Sequence, residues 1–141
     1  VQLMNAYSCT ECGRCTSECP ANLTGKKLSP RKIMMDTRDR LEKVSKNITT
    51  NKGNFVDDGD RLLDNYITKE ELWACTSCNA CVEVCPINID PLSIIMDMRQ
   101  FLIMEESSAH PDLNNMMNNI ENNGAPWPYN QQDIELWIQE S

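Results

Sequence analysis

The chain is short of positive charge, of aromatic residues and of histidine, and each shortage removes a class of function. Thirteen Lys and Arg stand against 21 Asp and Glu, a formal net charge of −8, and the pI is about 4.6. Nucleic-acid binding needs clustered positive charge, so that class is excluded. Aromatic residues are 6% and hydrophobic residues 40% of 141 positions. The core is therefore modest, and chains of this size are often helped by metals or disulfides. No apolar run approaches the roughly 18 residues of a membrane span, and no secretory signal is evident. The single histidine, His110, precedes Pro111 at a helix start and reads as exposed. There is no Gly-rich phosphate loop, catalytic triad or paired-carboxylate site to argue from. The sequence starts at Val1 and stops within an amphipathic stretch, so it reads as a domain excised from a longer polypeptide.

Cysteine is what the chain has in excess. Eight are present, and all fall in two copies of one motif, C-x2-C-x2-C-x3-C-P. The first holds Cys9, Cys12, Cys15, Cys19 and Pro20; the second holds Cys75, Cys78, Cys81, Cys85 and Pro86. A cubic iron–sulfur cluster needs four thiolates. Three cysteines at i, i+3 and i+6 suit three corners of one cube. In two-cluster ferredoxins with this run, the fourth cysteine ligates the other cluster. The same rule gives Cys9, Cys12, Cys15 and Cys85 for cluster A, and Cys75, Cys78, Cys81 and Cys19 for cluster B. Two alternatives carry less weight. Structural zinc uses separated cysteine pairs and needs neither the third cysteine nor the proline. A disulfide framework belongs to secreted chains.

Cluster charge makes a further expectation. A four-iron cube with four thiolates is anionic and calls for N–H donors and cations nearby. Copy one offers Gly13, Arg14, Lys26 and Lys27. Copy two offers Asn79 but places Glu83 between Cys81 and Cys85. Cluster A is therefore expected at the higher potential.

Between the motifs the chain reads as helices. Ser29 and Pro30 start one carrying Ile33, Met34, Thr37, Leu41 and Val44. Asn47 to Gly59 is polar and reads as a surface loop. Thr68 and Glu71 form a capping box, with Ile67 and Leu72 as its hydrophobic staple. Asp90 and Pro91 start a helix carrying Leu92, Ile95, Met96, Arg99, Leu102 and Ile103. Pro111 starts one with Leu113, Met116, Met117 and Ile120, ending near Gly124. Met34-Met35 and Met116-Met117 read as core filling. Ala125 to Tyr129 reads as a rigid connector, and Ile134, Trp137 and Ile138 suggest a last helix. No stretch alternates like a strand.

The two motifs, with Cys9-Thr10-Glu11-Cys12-Gly13-Arg14-Cys15 and Cys75-Thr76-Ser77-Cys78 as they stand, carry a resemblance. From about Ser8 to Met104 the chain resembles the dicluster iron–sulfur domain of the C-type subunits of heterodisulfide reductase. It is also similar to the C-terminal domain of the iron–sulfur subunit of succinate dehydrogenase and fumarate reductase. The resemblance implies an all-α fold, the α-helical ferredoxin, with two helical copies around two clusters, a long insert (Pro20 to Ala74) and a helical C-terminal tail. The succinate dehydrogenase group commonly lacks one ligand in its second motif. Cys78 is present here, so two [4Fe–4S] clusters are expected and the likeness leans to heterodisulfide reductase.

Residues 1–110 are thus read as the dicluster domain, and residues 111–141 as a tail or linker toward a downstream domain. The function expected is an electron-transfer relay within an iron–sulfur oxidoreductase of heterodisulfide reductase type, not catalytic alone. The alternatives are a structural zinc-binding interaction module and a disulfide reductase in its own right. The expected partner is a redox protein or domain of CCG-type cysteine-rich, flavin or haem class. The expected location is the cytoplasm, with membrane association only through parts outside this sequence.

Overall fold

The computed structural model describes residues 1–108, 110–128, 133 and 138. Among them are helices, turns and one isolated bridge, Leu63 to Ile67, and no strand. The all-α expectation holds. The chain divides into two units, Val1–Phe101 and Leu102–Ser141.

The first unit is built twice from one plan. Helix α1 (Gln2–Ser8) runs into the first cysteine loop, followed by α2 (Arg14–Ser17), α3 (Pro20–Leu23) and the long α4 (Pro30–Thr50). After the insert, α5 (Leu62–Asn65) is only a distorted turn, with Leu63 extended and Asp64 at φ 72. Helix α6 (Lys69–Ala74) then enters the second loop, followed by α7 (Ala80–Glu83) and α8 (Pro91–Met104). Both long helices start on a short polar cap followed by proline. Ser29 Oγ accepts from Lys32 N at 3.3 Å, and Asp90 Oδ1 accepts from Ser93 N at 3.0 Å. Each cap satisfies one amide that the helix cannot.

The repeat extends past the cysteines into these helices. Pro30, Ile33, Met34, Met35, Asp36, Thr37 and Arg38 stand in register with Pro91, Ile94, Ile95, Met96, Asp97, Met98 and Arg99. The buried face follows the same register: Pro30, Ile33 and Met34 in one half, Pro91, Ile94 and Ile95 in the other. Each such Ile or Met side chain contributes about 1.5–3 kcal/mol by leaving water. Ala6, Leu28, Ile67, Leu72 and Ile89 complete this core. Helix α1 packs on α4, and α2 packs on both α4 and α7. The contact of α2 with α7 joins the two motifs.

The insert departs from expectation in one place. Helix α4 continues through Asn47 to Thr50, where the polar composition suggested a loop. The side chains there bond locally instead of ending the helix. Thr49 and Thr50 hydroxyls donate back to Ser45 O and Lys46 O, at 2.8 and 2.9 Å. Asn47 donates to Val56 O at 2.8 Å and accepts from Val56 N at 3.0 Å, folding the returning chain onto the helix. Arg40 clamps Asp58 with two bonds of 2.5 and 2.8 Å. The capping box ahead of α6 is present as expected, with Ile67 and Leu72 fully buried.

In the second unit, α9 (Pro111–Asn123) ends at Gly124 in the left-handed conformation, φ 68. His110 caps it: its Nδ1 accepts from Asp112 N at 3.4 Å. No side chain of α9 is buried, so Met117 is not core filling, unlike Met34. Trp127 is exposed. Tyr129, Ile134 and Trp137 lie outside the described residues, and so does most of the expected last helix.

Candidate metal centre

The two cysteine loops have the same backbone. Cys9 and Cys75 each end a helix in an extended conformation, at φ −66, ψ 118 and φ −69, ψ 129. Two positions further on, Glu11 and Ser77 are left-handed at φ 58 and 55; two further still, Gly13 and Asn79 are left-handed at φ 82 and 62. Gly and Asn adopt this region readily, whereas Glu and Ser do so at a cost of order 1–3 kcal/mol. Glycine at 13 and asparagine at 79 therefore serve the turn, and α2 and α7 start from them. The alternation of conformations curls Cys9, Cys12 and Cys15 around one cavity.

That cavity is also lined by Cys85, which comes from the other copy, and by Cys81. Arg14 and Arg31 stand on its wall. The electrostatics place the remaining cysteines. Burial pushes the Cys81 thiol up to about 12, helped by the charges of Cys75, Cys19 and Cys15. Cys81 thus sits near Cys75 of its own motif and near Cys19 and Cys15 of the first copy. Burial likewise raises Cys15, with smaller contributions from Cys9 and Cys12, against a hydrogen bond from Thr16 that lowers it. Cys78 is exposed and is lowered, first by the Ala80 backbone amide and then by Thr76. Cys12 is exposed at the equivalent place in the first loop. Backbone amides already point at sulfur: Ser77 N donates to Cys75 Sγ at 3.4 Å and Ile89 N to Cys85 Sγ at 3.3 Å.

None of the eight cysteines is paired in a disulfide. Among the described residues, no three Cys, His, Asp or Glu converge on a point that a single ion could occupy. A cube holds its four sulfurs further apart, one per corner, and wants amide donors around them. The thiols gathered from both copies, with N–H groups aimed at Cys75 and Cys85, fit a cluster. A family model described as a 4Fe-4S dicluster domain matches residues 8–89. The chain belongs to the 4Fe-4S dicluster domain family. Two [4Fe–4S] clusters are the cofactors of this dicluster domain, in number matching its eight cysteines.

Three relatives place the dicluster domain among larger proteins. A Bacillus subtilis protein named "probable iron-sulfur-binding oxidoreductase FadF" is 33% identical over 99% of this chain, which spans 24% of that protein. An "EtfAB:quinone oxidoreductase" of Syntrophomonas wolfei is 27% identical over 98% of this chain and 22% of its own length. The C-type subunit of a ferredoxin/F420H2-dependent CoB–CoM heterodisulfide reductase from Methanosarcina acetivorans is 30% identical over 72% of this chain and 49% of its own length. The dicluster domain therefore spans about a quarter to a half of the relatives it matches.

The surrounding charges correct one expectation. Lys26 and Lys27 follow the first motif in sequence, yet they border a groove with Trp73 and Ala74, immediately before Cys75. Lys27 is paired with Glu70 at 2.9 Å. The chain crosses after Cys19, so these lysines lie toward the second loop. The first cavity has Arg31 instead, which composition near the motif did not reveal. In the register of the two halves, Arg14 and Arg31 correspond to Ala80 and Leu92. Arg38 and Arg99 are neighbours of the motifs that lie well outside them in sequence. The repeated Pro-x-x-Ile run ending in Arg was the signal that could have found them.

Proposed function

We propose that this domain is a one-electron relay inside a larger iron–sulfur oxidoreductase of heterodisulfide reductase type. The observation that supports the reading is one cavity lined from both copies, by Cys9, Cys12 and Cys15 of the first and by Cys81 and Cys85 of the second, with Cys75 and Cys19 also near Cys81; we read it as a crossing of the fourth ligands. The ligand sets are then Cys9, Cys12, Cys15 and Cys85 for one cluster, and Cys75, Cys78, Cys81 and Cys19 for the other. When bound, each cluster accepts and returns a single electron. The protein's part is to hold, insulate and space the two. Cys15, Cys19 and Cys81 lie where α2 meets α7, which brings the two ligand sets close. Burial of Cys19 and Cys81 excludes water from that side. Cys12 and Cys78 are the exposed thiols, and an outside redox group would approach on their side of each set. Four thiolates per cube leave no iron position for a substrate, so the bond chemistry belongs to a partner domain or subunit.

Residues 1–110 are read as the dicluster domain and residues 111–141 as a helical tail or linker toward a downstream domain; the redox partner is read as a domain or subunit of CCG-type cysteine-rich, flavin or haem class. The setting is read as the cytoplasmic side, with any membrane attachment made by other parts; among the described residues no helix is long and apolar enough to cross a membrane.

The crossing has a direct test. Anaerobic electron paramagnetic resonance of the reduced protein should resolve two signals. Cys85→Ser should alter the same signal as Cys12→Ser, and Cys19→Ser the same signal as Cys78→Ser. If Cys85→Ser instead follows Cys78→Ser, each motif holds its own cluster and the crossing is wrong.

A further inference from the structure

The repeat that places the cysteines also places two arginines. Counting each proline as first, Arg38 is the ninth residue of α4 and Arg99 the ninth of α8. Each reaches from the long helix behind its motif to the loop in front. Arg38 Nη2 donates to Glu11 Oε1, and Glu11 is the left-handed residue between Cys9 and Cys12. The Glu11 bond is the main cause that raises the Arg38 guanidinium above its ordinary value, against partial burial. Arg99 grips backbone. Its Nε and Nη2 donate to Leu72 O at 3.0 and 2.6 Å, and Nη2 also donates to Cys75 O at 2.5 Å. Its guanidinium lies 5.0 Å from the centre of the Trp73 ring. These carbonyls end α6, where intrahelical donors run out. The clamp therefore fixes the residue at which the helix gives way to the cysteine loop.

We infer that Arg38 and Arg99 are equivalent positioning residues, one per half, each fixing the segment that presents the first cysteine of its motif and tuning only the cluster that this cysteine holds. The inference rests on the ligand sets proposed above. Groups behind a ligand orient it, and losing one typically lowers metal affinity by about 10–100-fold. A guanidinium nearby also favours the more negative, reduced cluster. The two halves reach the same end by different chemistry, through a carboxylate intermediary at Glu11 and through two carbonyls at Leu72 and Cys75. Removing either arginine should lower one midpoint potential and spare the other.

The test is a redox titration of the full chain with its clusters, followed by electron paramagnetic resonance, with Cys9→Ser and Cys75→Ser assigning the two signals. Arg99→Gln should lower the midpoint of the Cys75 signal alone, and Arg38→Gln that of the Cys9 signal alone. Arg99→Lys keeps the charge but not the three-bond grip. Its midpoint should return toward that of the unsubstituted protein while its signal stays broader. Midpoints that do not move, or that move together, would overturn the inference. If Arg99→Gln takes up no iron, the width of the Cys75 signal in Arg99→Lys decides instead: a signal as narrow as that of the unsubstituted protein would overturn the inference. Lack of two four-iron clusters in the unsubstituted protein would overturn the ligand reading and this inference with it, whereas normal loading with unselective shifts overturns this inference alone.

Discussion

At the residue scale, the two cavity arginines give the sharpest asymmetry between halves that otherwise match. Arg14 and Arg31 line the first cavity, and Ala80 and Leu92 hold the corresponding places in the second half. An added electron is better tolerated beside a fixed positive charge. Arg14→Ala and Arg31→Ala should each lower the midpoint of the signal assigned by Cys12→Ser, and the double variant should lower it further. Solvent screening reduces the effect, since both side chains are exposed. An unmoved midpoint in a potentiometric titration would show the charges to be fully screened. Gly13 supports a second prediction. A Cβ there would meet only Arg31 Nη1, at 3.9 Å, so space is available, but φ 82 is strained for any L side chain. Gly13→Ala should cost of order 1–3 kcal/mol and reduce iron retention. Asn79→Gly should be tolerated, as measured by iron content after anaerobic desalting.

At the element scale, α6 depends on its cap. Thr68 accepts from Glu71 N, and Glu71 accepts from Thr68 N at 2.8 Å and from Lys32 Nζ at 2.8 Å. Burial alone would raise the Glu71 carboxyl; the bonds from Lys32 and Thr68 outweigh it, and the carboxyl is held below its ordinary value. A depressed carboxyl stabilises the fold above its unfolded value, near 4.5, and the contribution is lost as pH falls through the folded value. Glu71→Gln should therefore melt below the unsubstituted protein at pH 7, with the gap closing as pH is lowered past 4.5. A gap independent of pH would contradict the sign. Thr68→Ala should cost about 1 kcal/mol, read from thermal or urea unfolding. Caps of this kind are legible from sequence because they are local: the starts at Ser29, Thr68 and Asp90, and the stop at Gly124, stand where residue types put them. What stayed illegible is what depends on distant chain. The helix runs on to Thr50 because Asn47 meets Val56. Lys27 pairs with Glu70 of α6, far along the chain from the first motif. Met117 is exposed, which spacing along one helix does not reveal.

At the scale of the whole molecule, the ligand chemistry was legible and its arrangement less so. Two full motifs with no cysteine left over fix the cofactor class. The crossing came from the rule for the motif, and the cavity containing Cys85 supports it. The shared Pro-to-Arg run shows that the repeat is a whole supersecondary unit and not a cysteine motif alone. The eight cysteines come from both halves of the first unit, so on the proposed ligand sets the clusters are part of its core. Metal binding then supplies folding free energy that a small apolar core lacks. Removing iron under chelator should unfold residues 9–20 and 75–86 and lower helical content by circular dichroism, with amide exchange in those segments becoming fast. Full retention of helix in the apo-protein would mean that packing alone holds the fold.

The measurement that bears most directly on the central claim is an anaerobic visible spectrum with iron and acid-labile sulfide assays on the same purified sample. The account predicts a brown protein with about eight iron and about eight sulfide per chain. A colourless protein that holds zinc, and takes up no iron on anaerobic reconstitution, would contradict it.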